Sequence, residues 1–144
     1  MADNTLNVVV AQYTRSRFYG NKKLPYAWVI ALVNELNEGP VYQLSGTPPD
    51  SKYLGPYNVN DITESGAYRG HVVLGTVNAN QVDQIGTIMS SLIIYNDRSD
   101  WNCQNWVLSG LRRLQSAGFI GGETFTFESL TDTLLQTEND VSED

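Results

Sequence analysis

The 144-residue chain has one cysteine, Cys103, and one histidine, His71. A single cysteine excludes an internal disulfide and any cysteine-rich zinc site. One histidine with one cysteine supplies too few soft ligands for a metal centre, and no cofactor is expected. Positive charge is also scarce: nine Lys and Arg stand against sixteen Asp and Glu, a net charge of -7. Such a surface repels phosphate and anionic lipid on average, so nucleic acid is not an expected partner. No apolar run approaches the roughly 20 residues of a membrane-spanning helix. The first seven residues carry neither a basic segment nor a long apolar one, so no signal peptide is expected. These absences suit a reducing, cytoplasmic location in which Cys103 stays a thiol.

What is present reads as one globular domain. Hydrophobic residues make up 41% and charged residues 17% of the chain, ordinary proportions for a packed core. Residues 1–137 form the expected domain, and 138–144 (ENDVSED) form an acidic, flexible tail. Leu6 to Tyr13, LNVVVAQY, is rich in β-branched residues and predicts a buried strand. A loop from Thr14 to Lys23 carries four of the nine basic residues: Arg15, Arg17, Lys22 and Lys23. Tyr26 to Val33 predicts a second strand, Asn37 to Pro40 a turn, and Val41 to Ser45 the returning strand of a hairpin.

Residues 46–66 are punctuated by Gly46, Pro48, Pro49, Gly55, Pro56 and Gly66 and predict a long loop. Tyr68 to Val77 resumes a strand. Asn80 is placed to cap a helix carrying Val82, Ile85, Ile88, Met89 and Leu92 on one face. A second helix is expected from near Trp101 to Gly118, and a last one from Phe125 to Gln136 with Phe127, Leu130, Leu134 and Leu135 inward. The expected class is α+β, an antiparallel sheet packed against helices.

On the second helix, Cys103, Trp106, Val107, Gly110, Leu111 and Leu114 recur at steps of three and four, so Cys103 points toward the core side. It also lies in the first turn, with Ser99 or Asp100 placed to cap. Unpaired amides at a helix start lower a thiol's pKa and can hold the oxyanion of a tetrahedral intermediate. The opposing reading is that Cys103 is a small apolar residue filling a core. A thiol nucleophile needs a base within hydrogen-bond reach, and His71 is the one histidine available.

Three segments in order, Tyr26-Ala-Trp-Val-Ile-Ala-Leu32, Val41-Tyr-Gln-Leu44 and Asn102-Cys-Gln-Asn-Trp-Val107, resemble the circularly permuted papain-like proteins. That group includes the NlpC-type and lecithin retinol acyltransferase-like proteins, and small fungal members look closest. It carries a His-Trp-Ala strand, a second polar residue on the following strand, and Asn-Cys-x-x-Phe/Trp-Val at a helix start. The likeness spans roughly residues 6–118.

By that resemblance Cys103 is the nucleophile, Gln43 the third-position group, and Ala27 stands where the family has its catalytic histidine. The implied chemistry is thiol hydrolysis or acyl transfer on an amide, ester or thioester through an acyl-Cys103 intermediate. The loop at residues 46–66 would either shape the site for a small-molecule acyl or peptide substrate or serve as an ordinary covering loop. With Ala27 in the base position the activity is expected to be absent or impaired. Three readings of that position stay open: a site silenced by design, a natural pseudoenzyme that binds without turnover, or His71 as an alternative base.

Overall fold

The computed structural model describes residues 4–14, 18–19, 22–23, 26–121 and 126–142. Five strands form one antiparallel sheet: β1 (Thr5–Tyr13), β4 (Ala27–Val33), β5 (Gly39–Ser45), β6 (Lys52–Val59) and β7 (Tyr68–Asn78), in the spatial order β6-β5-β4-β1-β7. Two short strands, β2 (Phe18–Tyr19) and β3 (Lys22–Lys23), pair with each other inside the segment expected as a basic loop. Arg15 and Arg17 of that loop lie outside the described residues. Three helices follow: α1 (Val82–Ser90), α2 (Cys103–Ser116) and α3 (Phe127–Ser142). The α+β class with an antiparallel sheet against helices is therefore observed.

The inner strands β1 and β4 are buried on both faces, which is why they read as unbroken apolar runs. Val8 and Val10 of β1, Trp28, Ile30 and Leu32 of β4, and Tyr42 and Leu44 of β5 point to the helices. They pack with Ile85 and Met89 of α1, Trp106, Leu111 and Leu114 of α2, and Leu130 and Leu134 of α3. The alternate residues Val9, Ala11, Val29, Ala31, Val33 and Val41 form a second layer on the outer face, covered by Ile62 from the segment between β6 and β7. Tyr13 anchors that cover by donating from its hydroxyl to the Ile62 carbonyl at 2.7 Å.

Several expected boundaries move. Residues 46–66 are not a continuous loop, because β6 runs through Lys52–Val59 despite Gly55 and Pro56. An edge strand tolerates proline, since its outer N–H groups have no ladder partner to lose. The register passes from Val41↔Tyr57 to Gln43↔Leu54, so Gly55 and Pro56 together oppose Tyr42 in a bulge. Before α1 the chain makes a 3-10 turn, Ala79–Gln81, and the Asn78 amide donates to the Gln81 side chain at 2.9 Å. Gln81, not Asn80, occupies the N-cap of α1.

The second helix starts at Cys103 and is capped by Asn102, so neither Ser99 nor Asp100 is the cap. Gly118 ends it with φ +84, the left-handed conformation glycine adopts without strain. α3 begins at Phe127 and continues to Ser142, through most of the segment expected as a flexible tail. Only Leu130 and Leu134 of its four expected inward residues are buried. Leu135 is 48% exposed, and Phe127, at 45%, lays its ring over Trp28 with centroids 5.6 Å apart.

Gly39 opens β5 where a Cβ would collide with the Leu32 carbonyl oxygen of the neighbouring strand. Backbone cannot swing aside as a side chain can. Gly39→Ala is expected to destabilise the fold by about 1–3 kcal/mol, read as a lower urea midpoint with an unchanged slope.

Candidate functional site

Cys103 is the first residue of α2 and is 3% exposed, packed in the helix-side core with Trp106 and Trp28 among its cluster. The helix start is closed by a reciprocal cap. The Asn102 side chain accepts the Gln104 amide at 2.9 Å and also the Asn105 amide, while the Asn105 side chain accepts the Asn102 amide at 2.9 Å. Two of the amides expected to serve an oxyanion are thus engaged by Asn102. One further bond seats this end: the Gln104 side-chain nitrogen donates to the Tyr26 carbonyl at 2.9 Å. That contact ties the start of α2 to the start of β4, and Ala27 packs against the same cluster as Cys103.

The other two candidates go elsewhere. Gln43 lies between Tyr42 and Leu44, which both face the helices, so its side chain faces out. There it accepts from the Tyr57 hydroxyl at 3.0 Å and lines an outer-face cavity of about 350 Å³ with Tyr13, Val29, Asp61 and Ile62. His71 pairs with Ala11, an outer-face residue, while its neighbour Val72 packs on the helix side. Its Nδ1 shares a 2.6 Å hydrogen bond with the Tyr68 hydroxyl. The sheet therefore stands between Cys103 and both Gln43 and His71, and the alternative base does not reach the thiol. Trp28, on the helix side, donates to Gln12 at 3.2 Å, and Gln12 donates onward to the Arg69 carbonyl.

A second cavity, of about 390 Å³, opens on the helix side between the β5–β6 edge and α1. It is lined by Tyr42, Tyr53, Pro56, Val82, Asp83 and Gly86, among others. The hydroxyls of Tyr42 and Tyr53 have no hydrogen-bond partner among the described residues, nor does the Trp106 ring nitrogen. Tyr53 leans on Trp106, ring centroids 5.9 Å apart, so this cavity adjoins the first turns of α2. Pattern reasoning missed Tyr42 because it reads as one more core aromatic. The signal that marks it, an unsatisfied hydroxyl, exists only in three dimensions.

The electrostatics keep these phenols neutral. Burial first, then the charges of Tyr53 and Asp83, push Tyr42 up to about 12. Burial also raises Tyr13, Tyr53, Tyr57 and Tyr68 above their usual value. Burial lowers His71 below its ordinary 6.5 against an opposing pull from Asp61, so the imidazole is neutral at pH 7. Asp61 is held below the usual carboxylate range by the hydroxyl and amide of Thr63. No protein-family model matches the chain, and neither curated proteins nor solved structures match it. No helix among the described residues is long and apolar enough to cross a membrane.

These directions fix a pH dependence. The unfolded chain protonates His71 near 6.5 while the folded form resists, so its contribution is present above 6.5 and is lost as pH falls through the folded value. Tyr42 acts at the other end: its contribution is complete below about 10 and is lost as pH rises toward about 12. Tyrosinate absorbance at about pH 10.5 is expected to be smaller in the native chain than in urea, and equal absorbance would contradict the burial described.

Proposed function

We propose that this chain is a binding module built on a papain-like frame and does not turn over as a thiol enzyme in this form. The carrying observation is the division across the sheet: Cys103 is buried on the helix side, with Gln43 and His71 on the outer face. Position 27, the family's base position, holds an alanine, whose methyl group cannot accept a proton. Losing a general base typically costs roughly 10²–10⁴ in rate. The reciprocal cap engages the Gln104 and Asn105 amides and so leaves fewer donors for an oxyanion, which supports the same reading. A small carbonyl or peptide ligand and a reducing, cytoplasmic setting fit a negatively charged chain with one thiol.

One observation favours a second reading, thiol hydrolysis or acyl transfer silenced at one position. The Gln104–Tyr26 bond ties the cysteine-bearing end of α2 to the start of β4, the strand that carries position 27. In that chemistry the thiolate adds to a carbonyl, the leaving group departs, and water or another acceptor takes the acyl group from Cys103.

Iodoacetamide at about pH 6 separates the two, because only a lowered thiol pKa leaves appreciable thiolate there. Native Cys103 is expected to alkylate no faster than a model thiol, and Ala27→His is expected to leave both that rate and the intact mass after incubation with an activated thioester unchanged. A Cys103-linked acyl adduct that forms only in Ala27→His would establish the second reading instead.

A further inference from the structure

Asp61 lies in the segment between β6 and β7 that covers the outer face of the sheet. Its Oδ1 accepts the Thr63 amide at 2.9 Å and the Thr63 hydroxyl at 2.7 Å. Its Oδ2 accepts no hydrogen bond among the described residues, and no ion pair reaches Asp61 from them. Arg69, the next cation along the chain, donates from its guanidinium to the Gly66 and Tyr68 carbonyls at 3.1 and 2.7 Å. A carboxylate left without a counter-ion, on a chain of net charge -7, attracts a cation.

The surroundings say which kind of cation. Asp61 lines the outer-face cavity of about 350 Å³ with Tyr13, Gln43 and Tyr57, over Val29, Val41 and Ile62. Those three apolar residues are buried and form the floor. The polar wall is reachable: Tyr57 is 41% exposed, and Tyr13, Gln43 and Asp61 are each partly exposed. Both tyrosines have committed their hydroxyl protons, Tyr13 to the Ile62 carbonyl at 2.7 Å and Tyr57 to Gln43 at 3.0 Å. Those bonds also hold the rings in place. Further bonds pin the covering segment, from the Ile62 amide to the Asn37 carbonyl at 3.0 Å and from the Thr14 amide to the Ala67 carbonyl at 2.8 Å. The wall is therefore formed before a ligand arrives. The field of Asp61 reaches across it. Burial first, then the charges of Tyr57, Tyr68 and Asp61, raise the Tyr13 hydroxyl above its ordinary value, and a field that penalises a phenolate favours a cation.

We propose that this cavity binds a quaternary ammonium group, its methyl groups on Val29, Val41 and Ile62 and its charge facing the Asp61 carboxylate and the rings of Tyr13 and Tyr57. A primary ammonium ion has three donors to satisfy at once, and the apolar floor offers no acceptor. A divalent metal ion is held by a set of oxygen ligands, and no group of three metal-binding side chains occurs among the described residues. A quaternary ammonium has no donor to satisfy and is attracted to aromatic rings within about 6 Å. Neither that attraction nor the pull of Asp61 depends on a buried hydrogen-bonding atom. The inference goes beyond the reading of Cys103, which does not line this cavity and lies across the sheet from it. Alkylation of the thiol and occupancy of the outer cavity therefore succeed or fail separately.

The test titrates the ¹⁵N-labelled full chain with choline and with 3,3-dimethylbutan-1-ol, which keeps choline's shape with carbon in place of nitrogen. Saturable shifts of the Gln43, Tyr57 and Asp61 amides are expected with choline, and at least about tenfold weaker binding with the alcohol. Asp61→Asn keeps an acceptor for Thr63 and removes the charge, so about tenfold weaker choline binding in an otherwise parent-like spectrum is expected. Tyr57→Phe keeps the ring and is expected to bind within about twofold of the parent, whereas Tyr57→Leu is expected to bind about tenfold more weakly. A titration with N-acetyl-trimethyllysine amide identifies the source of the group: tighter binding than choline assigns it to a peptide, weaker binding to a free small molecule. Choline binding no tighter than the alcohol, or unchanged by Asp61→Asn, would overturn the proposal. Absence of saturable shifts with both choline and the trimethyllysine amide would overturn it as well.

Discussion

Side chains alternate across a strand, and in β1 and β4 neither face is left to water. Every residue of β1 from Val8 to Ala11 and of β4 from Trp28 to Val33 is buried on one side or the other. Fully burying a side chain of this size contributes about 1.5–3 kcal/mol, and a slip of one residue would exchange the two layers wholesale. Register is thereby fixed for every strand that pairs with these two. Once Tyr42 and Leu44 pack under the helices, Gln43 has to face out; once Val72 and Leu74 do, so does His71. The separation of Cys103 from both polar residues follows from apolar packing alone.

The start of α2 shows stability and chemistry competing for the same atoms. A helix start has amides with no intrahelical partner, and these can bind a side-chain cap or a developing oxyanion. Asn102 takes up two of them, those of Gln104 and Asn105, in a reciprocal pair with Asn105. Such a cap contributes about 0.5–2 kcal/mol to stability. The same end is clamped to β4 through Gln104 and the Tyr26 carbonyl. The thiol in that corner is 3% exposed and packs in the helix-side core.

The edge of the sheet beside α1 is built differently. Here the structure keeps a helical glycine, a bulged edge strand and two unsatisfied phenols within one cavity wall. Each lowers stability where an alanine, a regular strand or a phenylalanine would raise it. The outer face holds a departure of another kind, a carboxylate with no counter-ion among the described residues in an aromatic-walled cavity. Departures of that kind commonly mark function, because a pocket needs open volume and unpaired charge that a core does not. The contrast across the sheet is what directs attention from the cysteine to Asp61 and the tyrosines beside it.

Local residue patterns were enough for the class of fold and most of its elements. β-branched runs at Leu6–Tyr13 and Tyr26–Val33, and the three-and-four spacing from Cys103 to Leu114, are local patterns whose meaning needs no knowledge of the rest of the chain. They could not place β6, because Gly55 and Pro56 read as loop residues until an edge position and a bulge accommodate them. Nor could they choose the cap of α2, since Ser99, Asp100 and Asn102 are all capable and geometry selects the last. The candidate site was legible only as a set of residue types in order along the chain. Which of them meet depended on the face each strand turns to the helices, and tertiary packing decided that: it joined Cys103 to Ala27 in one cluster, sent Gln43 and His71 to the far side of the sheet, and left the hydroxyls of Tyr42 and Tyr53 without partners beside Gly86.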